Sequence, residues 1–108
     1  MLMITPVKEQ GNVVGNNFPN PFSNSTKIEY ILKDSAYVEC VVYNVAGQEI
    51  KCIETDLQGP GKYGFNINLS GENSGIYFYQ FNFVSNRGEE KSDVKRMMLL
   101  KNSGSKKW

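Results

Sequence analysis

Two cysteines, Cys40 and Cys52, and eleven carboxylates are the side chains here best suited to chemistry. Histidine is absent, which removes the commonest general base and the commonest metal ligand together. The cysteine spacing matches no zinc motif, and no nucleophile–base pair can be assembled. Asp56, Glu72 and Asp93 do not form a calcium loop, and Glu89-Glu90 beside Lys91 reads as a solvated turn. No glycine-rich phosphate loop is present, so neither a metal nor a cofactor is expected. Asn24-Ser25-Thr26 and Asn68-Leu69-Ser70 match the glycosylation acceptor, which matters only in a eukaryotic secretory route. Tyr37, Tyr43 and Phe78 fall on expected outer faces and could stack on a sugar, although ordinary outer-face packing explains them more simply. The residues point away from an enzyme.

The elements that must position these side chains are strands. Thr26–Lys33 alternates, with Ile28, Tyr30 and Leu32 on one face, and Tyr37–Asn44 alternates again through Val38, Cys40 and Val42. Val45-Ala46-Gly47 reads as a three-residue hairpin loop, with Gly47 supplying the left-handed position. That loop sets Cys40 opposite Cys52, both inward, where an oxidising compartment could join them. Cysteine is equally a small core residue, and one bulge before Ile53 would destroy the pairing; free thiols are the favoured expectation.

Gly59-Pro60-Gly61 and Ser70–Gly75 are turns around a strand with Tyr63, Phe65 and Ile67 on one face. Gly75 releases the most aromatic strand, with Tyr77, Tyr79, Phe81 and Phe83 sharing a face. The last element is ambiguous. Val94, Met97, Met98 and Lys101 fall at helical spacing, but the series of short strands before them favours a strand over Val94–Leu100. The expected fold is an all-β, immunoglobulin-like sandwich of about seven antiparallel strands in one domain. Leu2–Val7 could add a further edge strand.

Asn16–Phe22, Asn-Asn-Phe-Pro-Asn-Pro-Phe, holds two of the four prolines between Phe18 and Phe22. Each proline fixes its own φ and pushes its predecessor toward extended geometry, so the segment reads as a stiff rod with an aromatic at each end. It serves either as a lead-in that plugs the sandwich or as an address read by another protein. A formal charge of +1 offers no attraction for nucleic acid or anionic membrane. No apolar run approaches the ~20 residues of a membrane-spanning helix. The start is too short and uncharged for a secretory signal peptide.

Five blocks in register carry a resemblance. They are Asn16–Tyr30, Val42–Ile50 (Val-Tyr-Asn-Val-Ala-Gly-Gln-Glu-Ile), Gly59–Gly61, Ser74–Tyr79 (Ser-Gly-Ile-Tyr-Phe-Tyr) and Lys95–Lys101 (Lys-Arg-Met-Met-Leu-Leu-Lys). Over residues 16–101 the chain resembles the type A C-terminal sorting domain of type IX secretion cargo in Bacteroidetes. It is also similar to the immunoglobulin-like domain of the flagellar hook-capping protein.

The resemblance implies a non-catalytic sorting signal, with cargo on its N-terminal side, recognised by an outer-membrane translocon and a sortase-like surface protease. It implies export through the periplasm to the cell surface, with cleavage upstream of Phe18 in the stretch Lys8–Asn17. Phe18, Pro19, Asn20, Pro21 and Phe22 match the opening motif. Lys95, Met97, Leu99 and Lys101 belong to the basic-apolar-basic end, and both blocks are expected to meet the partner. Gly47, Gly75 and Tyr77 are expected to be structural, Tyr77 tying down a corner through its hydroxyl.

Residues 1–15 read as a linker or edge strand, and 102–108, ending Gly-Ser-Lys-Lys-Trp, as a tail resembling an added tag. The Met1 start without cargo suggests an excised domain. Exposed edges and the paired Phe residues allow a homodimer.

Overall fold

The computed structural model describes residues 11–101; the possible Leu2–Val7 strand and the 102–108 tail lie outside the described residues. Eight strands follow one another: β1 (Val13–Val14), β2 (Ser25–Leu32), β3 (Tyr37–Tyr43), β4 (Glu49–Glu54), β5 (Gly61–Asn68), β6 (Gly75–Ser85), β7 (Gly88–Lys91) and β8 (Lys95–Leu99). No helix occurs among the described residues, so the ambiguous last element is a strand. Its inward Met97 and Leu99 alternate with outward Arg96 and Met98, and pairing with β6 outweighs the helical spacing.

Two antiparallel sheets face each other. The smaller has the order β1-β2-β5; in the larger, β4, β3 and β6 lie side by side. β7 and β8 share the remaining side of β6, β7 beside Asn82–Ser85 and β8 beside Gly75–Tyr79. Ser92 bridges the gap between them, its N–H donating to the Phe81 carbonyl and its Oγ accepting from the Phe81 N–H, both at 2.9 Å. The stretch Glu89-Glu90 is therefore an edge strand rather than a turn. Its residues are all exposed, so no apolar alternation announced it.

Period-two alternation builds the core from both inner faces. Ile28, Tyr30 and Leu32 meet Val38, Cys40, Val42, Tyr79, Phe81 and Phe83, all of them buried. Tyr30 lies at the centre of the aromatic packing, 5.1 Å from Phe81 and 5.2 Å from Phe65 between ring centroids. Its hydroxyl donates to the Gln58 side chain at 2.7 Å, which satisfies the polar end of a buried ring.

The β3–β4 hairpin closes as its turn chemistry requires. Asn44 donates its N–H to the Gln48 carbonyl at 3.0 Å, and Gly47 sits at a φ of 83°. Beyond the loop the register shifts: Tyr43 pairs with Glu49 but Val42 with Lys51, leaving Ile50 as the extra residue. Cys40 consequently faces Ile53, and Cys52 faces Val41. Cys40 is buried, Cys52 is exposed on the opposite face, and both are free thiols. The expectation that both point inward fails for Cys52, because one inserted residue turns every later side chain to the other face.

Candidate recognition surface

Asn16–Phe22 is not an extended rod. Both proline peptide bonds, Phe18–Pro19 and Asn20–Pro21, are cis, and the segment folds into a compact strap across one flank of the sandwich. At its start Phe18 and Lys27 exchange both backbone hydrogen bonds, at 2.9 and 3.0 Å, which fixes the strap to the smaller sheet. At its end Phe22 donates to the Met98 carbonyl at 3.0 Å and accepts from the Leu100 N–H at 2.8 Å, which fixes it to the larger sheet.

Between these anchors two polar side chains hold the loop. Asn17, almost fully buried, donates through Nδ2 to the Pro19 carbonyl at 3.2 Å and to Thr26 Oγ1 at 3.1 Å. Thr26 in turn donates to the Pro19 carbonyl at 2.8 Å. Asn20 points the other way, its Oδ1 accepting the Met98 N–H at 3.0 Å. The outward backbone groups of Met98 are thus met by the strap.

The strap brings the two nominated blocks, Phe18–Phe22 and Lys95–Lys101, into contact through Asn20 and Phe22. It also separates residues within each. Phe22 is a core plug at 3% exposure, whereas Phe18 is 79% exposed, and Pro19, Asn20 and Pro21 are exposed beside it. Met97 and Leu99 are at 0% exposure and point into the core. Neither presents its side chain to a partner. Strand alternation instead exposes Arg96, Met98 and Leu100, which the basic-apolar-basic pattern did not single out. A shallow cleft lined by Asn20, Pro21, Arg96, Met97 and Met98 marks where strap and strand meet.

The two lysines differ. Lys95 is half-buried, with Nζ 3.4 Å from the Asn16 side-chain oxygen. Lys101 is exposed, yet its Nζ donates to the Ser70 carbonyl and its N–H to Ser74 Oγ, both at 2.8 Å. It therefore clips the chain to the loop before β6. On that loop Tyr77 donates its hydroxyl to the Asn73 carbonyl at 2.6 Å, and Gly75 turns into β6 at a φ of 155°.

Among the described residues no buried charge cluster accompanies this surface. Burial pushes the Tyr79 hydroxyl up to about 12 from 10.0, against a hydrogen bond with the Asn17 backbone that lowers it. Burial also pushes the Cys40 thiol up to about 12. Cys52, on the outer face with Glu39 and Glu54, donates to Glu39 at 3.4 Å. Partial burial, then that bond and the neighbouring carboxylates, raise its thiol to about 11, far from the thiolate a nucleophile needs.

The sequence matches the family described as the secretion system C-terminal sorting domain over residues 16–95, which is most of the chain. The chain belongs to that family. As the sequence resemblance implied, the sorting domain is of the type IX kind, and the match begins at the strap and reaches the first residue of β8.

No curated protein matches the sorting domain. Among solved structures it is similar to dimeric latent PorU from Porphyromonas gingivalis, with a TM-score of 0.70 and 17% identity. That likeness covers 87% of this chain but 10% of PorU, and it shows the fold alone. A second likeness, to the C-terminal domain of wzt, has a TM-score of 0.49 and 12% identity over 83% of this chain and 73% of that one.

Proposed function

We propose that this domain is a non-catalytic secretion signal that directs a cargo protein on its N-terminal side through an outer-membrane type IX translocon to the cell surface. The observation that carries this reading is the union, within a sorting-domain family member, of the opening motif and the last strand. Asn20 and Phe22 are hydrogen-bonded directly to Met98 and Leu100. A partner reading this flank would meet Asn20, Pro21, Arg96 and Met98 at the seam, with the exposed Phe18 further along the strap.

A sortase-like surface protease would cut ahead of the domain. Val13–Val14 pairs with β2 and Asn17 is buried, which disfavours cutting from Val13 onward within the stretch Lys8–Asn17. On this reading the protein passes through the periplasm and ends at the surface, with no nucleic-acid partner.

A periplasmic reporter carrying residues 8–101 at its C-terminus tests the reading in a host with an intact type IX system, beside a translocon-null strain. Surface reporter is expected only in the intact strain. The paired change Phe18→Ser with Met98→Ser should strand it in the periplasm while leaving the domain folded, because both side chains are exposed. Reporter that stays in the periplasm of both strains, folded and stable, would favour a structural or adhesive role.

The sugar-binding alternative has one supporting observation: Tyr43 and Phe78 are cross-strand partners, both half-exposed. Tyr37 lies at the other end of β3, opposite Val84, so the three aromatics do not form a row.

A further inference from the structure

Sheet edges carry unpaired backbone groups, and folded proteins guard them by shortness, charge, bulges or a covering segment. Four of the five strands at the sheet edges described here are guarded in this way. β1 has two residues. β7 is four residues long with Glu89, Glu90 and Lys91 in it. β4 carries the register shift and Glu49, Lys51 and Glu54. β8 is covered by Asn20 and Phe22. β5 is the least protected: it pairs with β2 without interruption from Gly61 to Asn68, and it carries a single charged residue, Lys62.

The direction of its free groups follows from the ladder. Gly15 donates to the Glu29 carbonyl, and Phe18 exchanges both bonds with Lys27, so the odd-numbered residues of β2 face away from β5. The even ones face it, making Thr26 with Ile67, Ile28 with Phe65 and Tyr30 with Tyr63 the hydrogen-bonded pairs. Lys62, Gly64, Asn66 and Asn68 therefore direct N–H and C=O out of the sheet. On the core side of the same strand Tyr63 and Phe65 are only partly buried.

We infer that β5 is a self-association edge, where two copies of this chain pair antiparallel about a two-fold axis at Phe65. This register uses the whole strand: Lys62 meets Asn68 of the second copy, Gly64 meets Asn66, and the reverse pairs follow by symmetry. Every outward-pointing residue is matched with an outward-pointing residue, so the backbone groups of all four are satisfied on both copies. On the core side the partly buried Phe65 meets its own counterpart, an aromatic pair that favours such a ladder, while Ile67 stays fully buried in its own sandwich. On the other side no like charges oppose each other. In this register the strand is its own complement, so a second copy occupies the edge without leaving an outward backbone group unpaired.

Sedimentation equilibrium of the full chain over a micromolar to millimolar series tests the inference. Dimer is expected to grow with concentration. Asn66→Pro removes one outward N–H and places a ring on the edge, while the odd-numbered groups bonded to β2 are untouched. It should weaken dimerisation at least tenfold, with the circular dichroism spectrum and melting curve kept near those of the unmodified chain.

Amide exchange supplies a readout that needs no substitution. The N–H groups of Lys62, Gly64, Asn66 and Asn68 should gain protection with concentration, while those of Tyr63, Phe65 and Ile67 stay protected throughout. A chain monomeric at millimolar concentration, or a dimer whose outward β5 amides exchange freely, would overturn the assignment.

Discussion

Phe18 and Phe22 stand four positions apart in one motif and have opposite environments, so their substitutions should differ sharply in their effect on stability. Phe22 is buried against the core while its backbone ties the strap to β8. Phe22→Ala should cost about 3–5 kcal/mol, the usual cost of removing a buried aromatic ring. Phe18→Ala removes a ring already in water and should change stability by less than about 0.5 kcal/mol. Chemical denaturation of both variants checks this; equal losses would place Phe18 in the core. The remaining members of the motif, Pro19, Asn20 and Pro21, are exposed, and Asn20 couples to β8 through its side chain.

The last strand illustrates how an element can join the core and the surface at once. β8 lends Met97 and Leu99 to the interior and leaves Arg96 and Met98 outside. Deleting residues 95–101 would remove two buried side chains at about 2–5 kcal/mol each and one side of the β6 ladder. That loss is comparable to the whole stability of a small domain, about 5–15 kcal/mol. The shortened chain is expected to lose its cooperative thermal transition, observable by calorimetry. Failure of a truncated fusion to reach the surface would therefore report unfolding of the signal as readily as loss of contact. The exposed-residue pair Phe18 and Met98 is the cleaner probe. Element-scale geometry also explains Lys101, which continues past β8 and holds the loop at Ser70 and Ser74.

For the molecule as a whole, the buried ionisable groups set a limit on the alkaline side. Cys40 and Tyr79 are both held neutral by burial, each raised to about 12 from ordinary values of 9.0 and 10.0. Below the ordinary values both folded and unfolded chains keep these protons, and stability does not depend on them. Above those values the unfolded chain releases protons that the folded chain retains, so stability falls as pH rises from about 9 toward 12. Denaturation midpoints should be flat through neutral pH and then decline. Cys40→Val should shrink the lower-pH part of that decline without abolishing it, because Cys52 is also raised, to about 11. A midpoint unchanged at pH 11 would contradict the burial of these groups. The strap seals one flank of the sandwich, while β5 leaves an open edge in the smaller sheet.

Alternation, turn residues and five family blocks made the all-β fold, most strand positions and the sorting-domain family legible in the sequence. Those features are local, and period-two patterning carries the core-facing sets Ile28-Tyr30-Leu32 and Tyr77-Tyr79-Phe81-Phe83 directly. The inserted residue in β4 was not legible, because a bulge depends on the partner strand, and it alone turned Cys52 outward. β7 was hidden for a different reason: an edge strand exposed at all four residues has no apolar rhythm to read. The joining of Asn20 and Phe22 to Met98 and Leu100 was decided only in three dimensions. Which of Met97, Met98, Leu99 and Leu100 a partner can touch depends on which face of β8 the second sheet covers, a question no run of four apolar residues can answer by itself.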